Sequence, residues 1–197
     1  MKRKYIAITG GIGSGKSTVL AYLKEKGYPV FSCDEIYKRL FRKESYVRAI
    51  KAVFPDAVNE KGIDRERLAL LVFSDENARK QLNSIAHPLI MKELFSQMDA
   101  CGESLCFAEV PLLFENGSEK DFDEVLVVMR DKTLRIQSVQ ERDVKSVESV
   151  KKRMEAQFNY DEQLHQEKLQ KENVILLYNN TNVQALYKEI ERYLAKL

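Results

Sequence analysis

The residue types and spacing that most directly imply chemistry lie in Gly10-Gly11-Ile12-Gly13-Ser14-Gly15-Lys16-Ser17-Thr18. Glycine, four residues, glycine, lysine and a hydroxyl residue is the spacing of a phosphate-binding loop. The glycines let the backbone turn where a β-carbon would clash. Successive N–H groups around Gly11, Gly13, Ser14 and Gly15 can then converge on one anion. Lys16 brings a positive charge to the outer phosphates of a nucleotide, and the Ser17 hydroxyl is placed to hold Mg²⁺. Thr18 falls near the α-phosphate, and the helix that follows adds the positive end of its dipole.

Such a loop needs a buried strand before it and a helix after it, and the flanking residues supply both. Tyr5-Ile6-Ala7-Ile8 is a short apolar run that predicts a buried strand. Thr18-Val19-Leu20-Ala21-Tyr22-Leu23 predicts a helix with Leu20 and Leu23 on one face, stopping at Gly27. Pro29-Val30-Phe31 predicts a second strand ending in Ser32-Cys33-Asp34. Ligands of open α/β sheets gather at the carboxyl ends of strands. Asp34 therefore belongs at the same rim as the phosphate loop, as a base or as a carboxylate capping the next helix.

The stretch from about Glu35 to Gly102 reads as mostly helical. Asp64 is placed to cap a helix carrying Leu68, Leu71 and Val72. Ser74-Asp75 can start another, which Pro88 is expected to kink or end. A turn is expected around Asn59-Glu60-Lys61-Gly62. Leu105–Val110, Glu124–Met129 and Asn173–Tyr178 are continuous apolar runs, as in strands buried on both faces of a parallel sheet. Asn182 caps a final helix whose inner side is expected to carry Leu186, Ile190, Tyr193, Leu194 and Leu197. Between Arg130 and Arg153, eight Lys or Arg face four Asp or Glu, and Asp161 to Glu172 is polar nearly all round. A basic helical flap and a solvated surface helix pair both fit that pattern.

At 197 residues, 44% hydrophobic and 31% charged, the chain can bury one substantial core. A formal charge of +2 is too small to argue for nucleic acid or a membrane surface as partner. Cys33, Cys101 and Cys106 have no metal-ligand spacing, and an odd number without a secretion signal predicts reduced thiols in a cytosol. The basic Met1-Lys2-Arg3-Lys4 precedes an apolar run too short for a signal peptide, and no stretch is long enough to span a membrane.

Taken together, these pieces resemble the bacterial dephospho-coenzyme A kinase family over nearly the whole chain. The matching residues, in order, are Ile8 to Thr18, Asp34, Gly62-Ile63-Asp64-Arg65 with Leu68 and Phe73, and His87-Pro88. Pro111-Leu112-Leu113-Phe114-Glu115, Gln140-Glu141-Arg142-Asp143, Arg153 with Gln157, and Asn179-Asn180 follow. The His-Pro pair and the Pro-Leu-Leu-Phe-Glu run are the more specific of these. The resemblance implies an α/β, nucleoside-monophosphate-kinase-like fold with a central parallel sheet of about five strands flanked by helices. It divides the chain into a core (about 1–34, 103–130 and 173–197), a helical substrate-binding region (about 35–102) and a lid (about 131–172). It also implies ATP-dependent phosphorylation of the ribose 3′-hydroxyl of dephospho-coenzyme A, with Mg²⁺, in the cytoplasm.

Two departures stand out. The family often has Asp-Ala-Asp where this chain has Ser32-Cys33-Asp34, and an Ala-Asp pair where it has Glu172-Asn173.

The resemblance gives further residues candidate roles. Lys16, Asp34 and Arg142 would be catalytic, with Arg142 reaching the γ-phosphate or else pairing with Asp143 on the surface. Glu109 would hold a metal-bound water beside Ser17, or be a strand-end carboxylate paired with a basic neighbour. Glu115 suits a loop or lid contact better than the metal. His87, Pro111 and Leu112 would meet the acceptor, although His87 also reads as a hydrogen-bonded core histidine, and position and charge alone add Lys38 and Arg65, which could meet its pyrophosphate or ribose. Asn179 and Asn180 match the region near the adenine ring. Another small-molecule kinase and a non-catalytic nucleotide switch are the alternatives. The Asn-Lys-x-Asp guanine-reading motif of a GTPase is absent from the sequence.

Lys16→Ala tests the loop assignment. Losing one preorganised charge contact costs about 3 to 4 kcal/mol of barrier, so ADP release should nearly vanish, and ATP affinity should fall with it. Near-parental turnover would rule out a phosphate-binding role for the loop.

Overall fold

Continuous apolar runs place strands where both faces are covered, and the computed structural model arranges them that way. It describes residues 3–143, 147–155, 157–160, 162 and 166–197. The side chains of Ser74, Arg142, Asp143, Val147, Ser149, Lys152, Arg153 and Gln166 are not among those described. The chain divides into two compact units, Met1–Phe31 with Cys101–Leu197, and Ser32–Ala100.

The first unit is built on a parallel sheet of five strands: β1 (Lys4–Thr9), β2 (Val30–Ser32), β5 (Leu105–Glu109), β6 (Glu124–Met129) and β7 (Val174–Tyr178). The order is β2-β5-β1-β6-β7, which makes β1 the central strand. Its register sets Ile6 against Phe107 on one side and Glu124 on the other, and Ile8 against Glu109 and Leu126. Helices α1 (Lys16–Glu25) and α9 (Val183–Leu194) pack against the sheet. Ile6, Ile8, Val19, Leu23, Phe107, Leu126, Val128, Leu177, Leu186 and Ile190 form that core. Tyr22 of α1 stacks on Tyr187 of α9 at 4.0 Å.

Asn182 caps α9 as expected, accepting the Ala185 N–H at 2.9 Å. Leu197 is 44% exposed, because α9 ends at Leu194 and the last residues leave the packed face. The basic region folds as α6 (Lys132–Asp143), α7 (Val147–Glu155) and α8 (Gln166–Leu169). Its apolar face is fuller than the pattern suggested: Val139, Val150, Phe158, Tyr160 and Leu169 are all buried.

The second unit is helical, with α2 (Cys33–Leu40), α3 (Glu44–Val53), α4 (Arg65–Ser74) and α5 (Glu76–Ala100). The expected turn is the tip of a small antiparallel hairpin, β3 (Val58–Asn59) with β4 (Gly62–Ile63). Asp64 accepts the Arg67 N–H at 3.0 Å, and Asp75 accepts the Asn77 N–H at 2.8 Å, so both predicted caps form. Its core gathers Leu40, Tyr46, Ile50, Phe54, Leu68 and Leu82. Pro88 does not end its helix, since α5 continues to Ala100. A proline inside a helix frees the carbonyl four residues before it. Ser84 and Pro88 are both on the exposed side of α5, where water can serve that carbonyl.

Leu23 is fully buried between α1 and the sheet. A Leu→Ala change in such a core costs about 3 kcal/mol. Leu23→Ala should therefore lower Tm by several degrees in calorimetry.

Candidate active site

A loop whose N–H groups point one way turns carbonyls the other way, and buried carbonyls need donors. The phosphate loop emerges from β1 and runs directly into α1. Lys16 Nζ donates to the Gly10 carbonyl at 2.8 Å and to the Gly11 carbonyl at 3.2 Å. Arg130, just past β6, donates to the Gly13 carbonyl at 3.3 Å and to Ser138 Oγ at 2.8 Å. Asn179, just past β7, donates through Nδ2 to the Ser14 carbonyl at 2.8 Å. Inside the loop the Ser14 N–H meets the Gly11 carbonyl at 3.1 Å.

The glycine spacing has a steric reason here. Gly13 has φ +78°, and a β-carbon on it would stand 2.5 Å from the Arg135 carbonyl oxygen. One on Gly11 would run into the Arg135 guanidinium, and one on Gly15 into the Asn179 amide. Arg135, in α6, is buried against the loop. Lys16, Arg130 and Arg135 thus gather positive charge at the loop. Ser17 lies exposed in the first turn of α1, and Thr18 follows it half-buried.

Beside the loop lies a cavity of about 530 Å³, whose lining includes Lys132, Arg135, Lys151 and Gln157 together with the carboxylates Glu155 and Glu162. A larger hollow of about 750 Å³ opens at the amino-terminal edge of the sheet, among Asp123, Glu124, Tyr193 and Leu197. Its carboxylates are ill suited to a triphosphate, and it lies at the opposite end of the strands from the loop. With three cations against two carboxylates, where the larger hollow has two against four, the cavity beside the loop is the better match to phosphate chemistry.

Glu109 is the last residue of β5, half-buried and in register with Ile8 of β1. Glu115 shows surface to solvent, but its carboxylate accepts the Phe158 N–H at 2.7 Å. Burial of that carboxyl raises its pKa, while the Phe158 N–H and the charges of Lys168 and Lys16 pull it down. Pro111 and Leu112 are half-buried in the turns after β5. Asn180 Oδ1 accepts the Asp131 N–H at 2.8 Å, so both asparagines brace backbone around the loop and the start of α6. Arg142 belongs to the last turn of α6, and its side chain lies outside the described residues.

In the second unit, Asp34 is exposed and sits in the first turn of α2. It does not end β2, as the sequence suggested. Ser32 is the extended residue before the helix, and Cys33 already belongs to α2. The capping role falls to Ser32, whose side chain makes no cap hydrogen bond. Arg65 donates to the Lys38 carbonyl at 3.3 Å and lies 4.4 Å over the Phe41 ring, so Lys38 and Arg65 come together. His87 is half-buried on α5.

With this geometry in hand, known proteins supply the chemical context. Residues 4–184 match the family model described as dephospho-CoA kinase. The chain belongs to the dephospho-CoA kinase family. A dephospho-CoA kinase of Fusobacterium nucleatum is 34% identical over 190 residues, covering 95% of each chain. The crystal structure of TT1252 from Thermus thermophilus superposes with a TM-score of 0.84 at 34% identity, over 100% of this chain and 99% of that one. A shikimate kinase of Acinetobacter baumannii shares the fold at a TM-score of 0.55 and 16% identity, covering 98% and 94%.

Among the residues gathered at the loop in this dephospho-CoA kinase family member, Arg130, Arg135 and Tyr160 carried no role from the sequence, and Thr9 only its place in the matching run. Gln157 carried only a family match. The basic run from Arg130 announced cations near phosphate, but helical phase alone does not say which of them turns inward.

Gly13→Ala forces an L-residue into left-handed backbone, at about 1 to 2 kcal/mol, and drives its methyl into a backbone carbonyl. ATP affinity measured by calorimetry should fall at least about tenfold, with the fold retained.

Proposed function

We propose that the chain transfers the γ-phosphoryl group of ATP to the ribose 3′-hydroxyl of dephospho-coenzyme A, giving coenzyme A in the last step of its synthesis. The carrying observation is the family match over residues 4–184, joined to an intact phosphate loop on the central strand. The activity belongs in the cytoplasm on the same family grounds. Among the described residues, no helix is long and apolar enough to cross a membrane.

The loop's donors and glycine-lined floor fit a triphosphate. Phosphoryl transfer asks for positioning and charge neutralisation more than for covalent chemistry. Lys16 would neutralise the β- and γ-oxygens, with Gly11, Gly13, Ser14 and Gly15 holding the β-phosphate by backbone N–H groups and Thr18 near the α-phosphate. Arg142 on α6 would meet the γ-phosphate. Asn179 and Asn180 would border the nucleotide base.

Mg²⁺ would be held by Ser17 and, through water, by Glu109, neutralising charge on the phosphates. Mg²⁺ keeps several waters and few protein ligands in such sites.

Residues 35–102 would take the acceptor, through Lys38, Arg65 and His87, with Pro111 and Leu112 contributing from the turns after β5. Residues 131–172 would cover the nucleotide. Asp34 would accept the proton of the 3′-hydroxyl. The support for Asp34 is topological: β1 and β2 belong to one parallel sheet, and the chain leaves β2 two residues before it.

ADP release with and without dephospho-coenzyme A, against a panel of sugars, nucleosides and shikimate, tests the acceptor. Asp34→Asn tests the base. General-base losses run about 10² to 10⁴-fold in kcat, with ATP affinity and Tm little changed. A rate within a few-fold of the parent leaves Asp34 out of the chemistry.

A further inference from the structure

The peptide group between Gly11 and Ile12 is gripped from both sides. Its carbonyl accepts Lys16 Nζ at 3.2 Å and the Ser14 N–H at 3.1 Å. Its N–H, on Ile12, donates to Gln157 Oε1 at 2.8 Å. A peptide unit is planar, so its N–H and carbonyl turn together. Whatever fixes the Ile12 N–H also fixes the direction of the oxygen that meets the Lys16 ammonium.

Gln157 is itself held. Its own N–H donates to the Met154 carbonyl at 3.2 Å, one residue inside the end of α7. The next residue, Phe158, donates its N–H to Glu115 and packs against Phe114 at 4.8 Å and Tyr160 at 4.9 Å. Tyr160 Oη lies 3.2 Å from Thr9 Oγ1, at the end of β1, and the Tyr160 ring borders Gly11. Burial raises the pKa of the Tyr160 phenol above its ordinary value. Residues 157–160 are thus anchored to the strand, the loop and the turns after β5, and they present one amide oxygen to one loop N–H.

We infer that Gln157 is a positioning residue for phosphoryl transfer: by holding the Gly11–Ile12 peptide it sets where Lys16 places its charge. It acts through Lys16, its amide oxygen being taken up by the Ile12 N–H. The rate consequence rests on the transfer reaction proposed above, while the contact itself does not. Losing the acceptor frees the peptide to rotate and lets the ammonium drift. Misplacement of a catalytic charge by about 1 Å costs on the order of 10²-fold in rate, while binding, shared among many N–H groups, changes less.

Gln157→Met keeps length and bulk but removes the acceptor, and Gln157→Glu keeps an acceptor oxygen. The measurements are Tm, ATP affinity by calorimetry, kcat and KM for ATP, and hydrogen exchange at the Ile12 amide. For Gln157→Met, kcat should fall about 10- to 100-fold, ATP affinity should change less than about threefold, and Ile12 exchange should speed at least about tenfold. Tm should barely move. Gln157→Glu should restore Ile12 protection, which keeps the test open if Gln157→Met folds poorly. A Gln157→Met kcat within about twofold of the parent overturns the inference. So does a kcat loss matched by lost Tm with Ile12 exchange unchanged, or Ile12 exchange as fast in Gln157→Glu as in Gln157→Met. If the parent protein fails to phosphorylate dephospho-coenzyme A, the acceptor reading falls, whereas Ile12 exchange and ATP affinity still decide the Gln157 contact.

Discussion

A loop that offers its amides to an anion must dispose of its own carbonyls, and this requirement organises the first unit. The carbonyl oxygens of Gly10, Gly11, Gly13 and Ser14 all accept hydrogen bonds from within the protein. Their donors come from four different places: Lys16 in α1, the Ser14 amide, Arg130 after β6, and Asn179 after β7. β1 lies between β5 and β6 in the sheet, so the loop emerges where the ends of neighbouring strands can supply those donors. The sheet order is thereby tied to the hydrogen-bonding needs of a few peptide groups.

The same arrangement concentrates positive charge. Lys16, Arg130 and Arg135 are all drawn onto backbone oxygens or held close to the loop, and Lys132 and Lys151 line the adjoining cavity. Backbone carbonyls are weak partners for such cations compared with a phosphate. The Lys16 ammonium has three donors, so an entering triphosphate can add a stronger partner while the Gly10 and Gly11 carbonyls keep their hold on it. Glu115 is set apart from this: its carboxylate is engaged by the Phe158 amide, which anchors residues 157–160.

Much of this was legible in the sequence because it depends on local rules. The glycine spacing, the apolar strand before it and the helix after it are encoded within about twenty residues. The caps at Asp64, Asp75 and Asn182 follow from one side chain reaching a nearby N–H, and all three form. The family resemblance, resting on motifs in order, extended that reading to the fold and the kinase family, and both hold. Where local rules met a longer-range effect they failed in detail. Pro88 stays within α5, where it and Ser84, whose carbonyl it frees, both lie on the exposed side of the helix. Asp34 lies in α2 because Ser32 is the last extended residue.

The phosphate loop, its strand and helix and the buried parallel strands were decided by residues near one another in the chain, where spacing maps directly onto geometry, and the kinase family by motifs in order along the chain. Which partners hold the loop was decided only in three dimensions. Gln157 is 145 residues from Ile12, Tyr160 is 151 from Thr9, and Asn179 is 165 from Ser14. No periodicity links such pairs. They meet because the strand order brings the ends of β6 and β7 to the loop, and because aromatic packing on Phe114 holds residues 157–160 there. Arg135 is one of eight cations in its stretch of chain, and only the packing of α6 against Gly11 and Gly13 selects it.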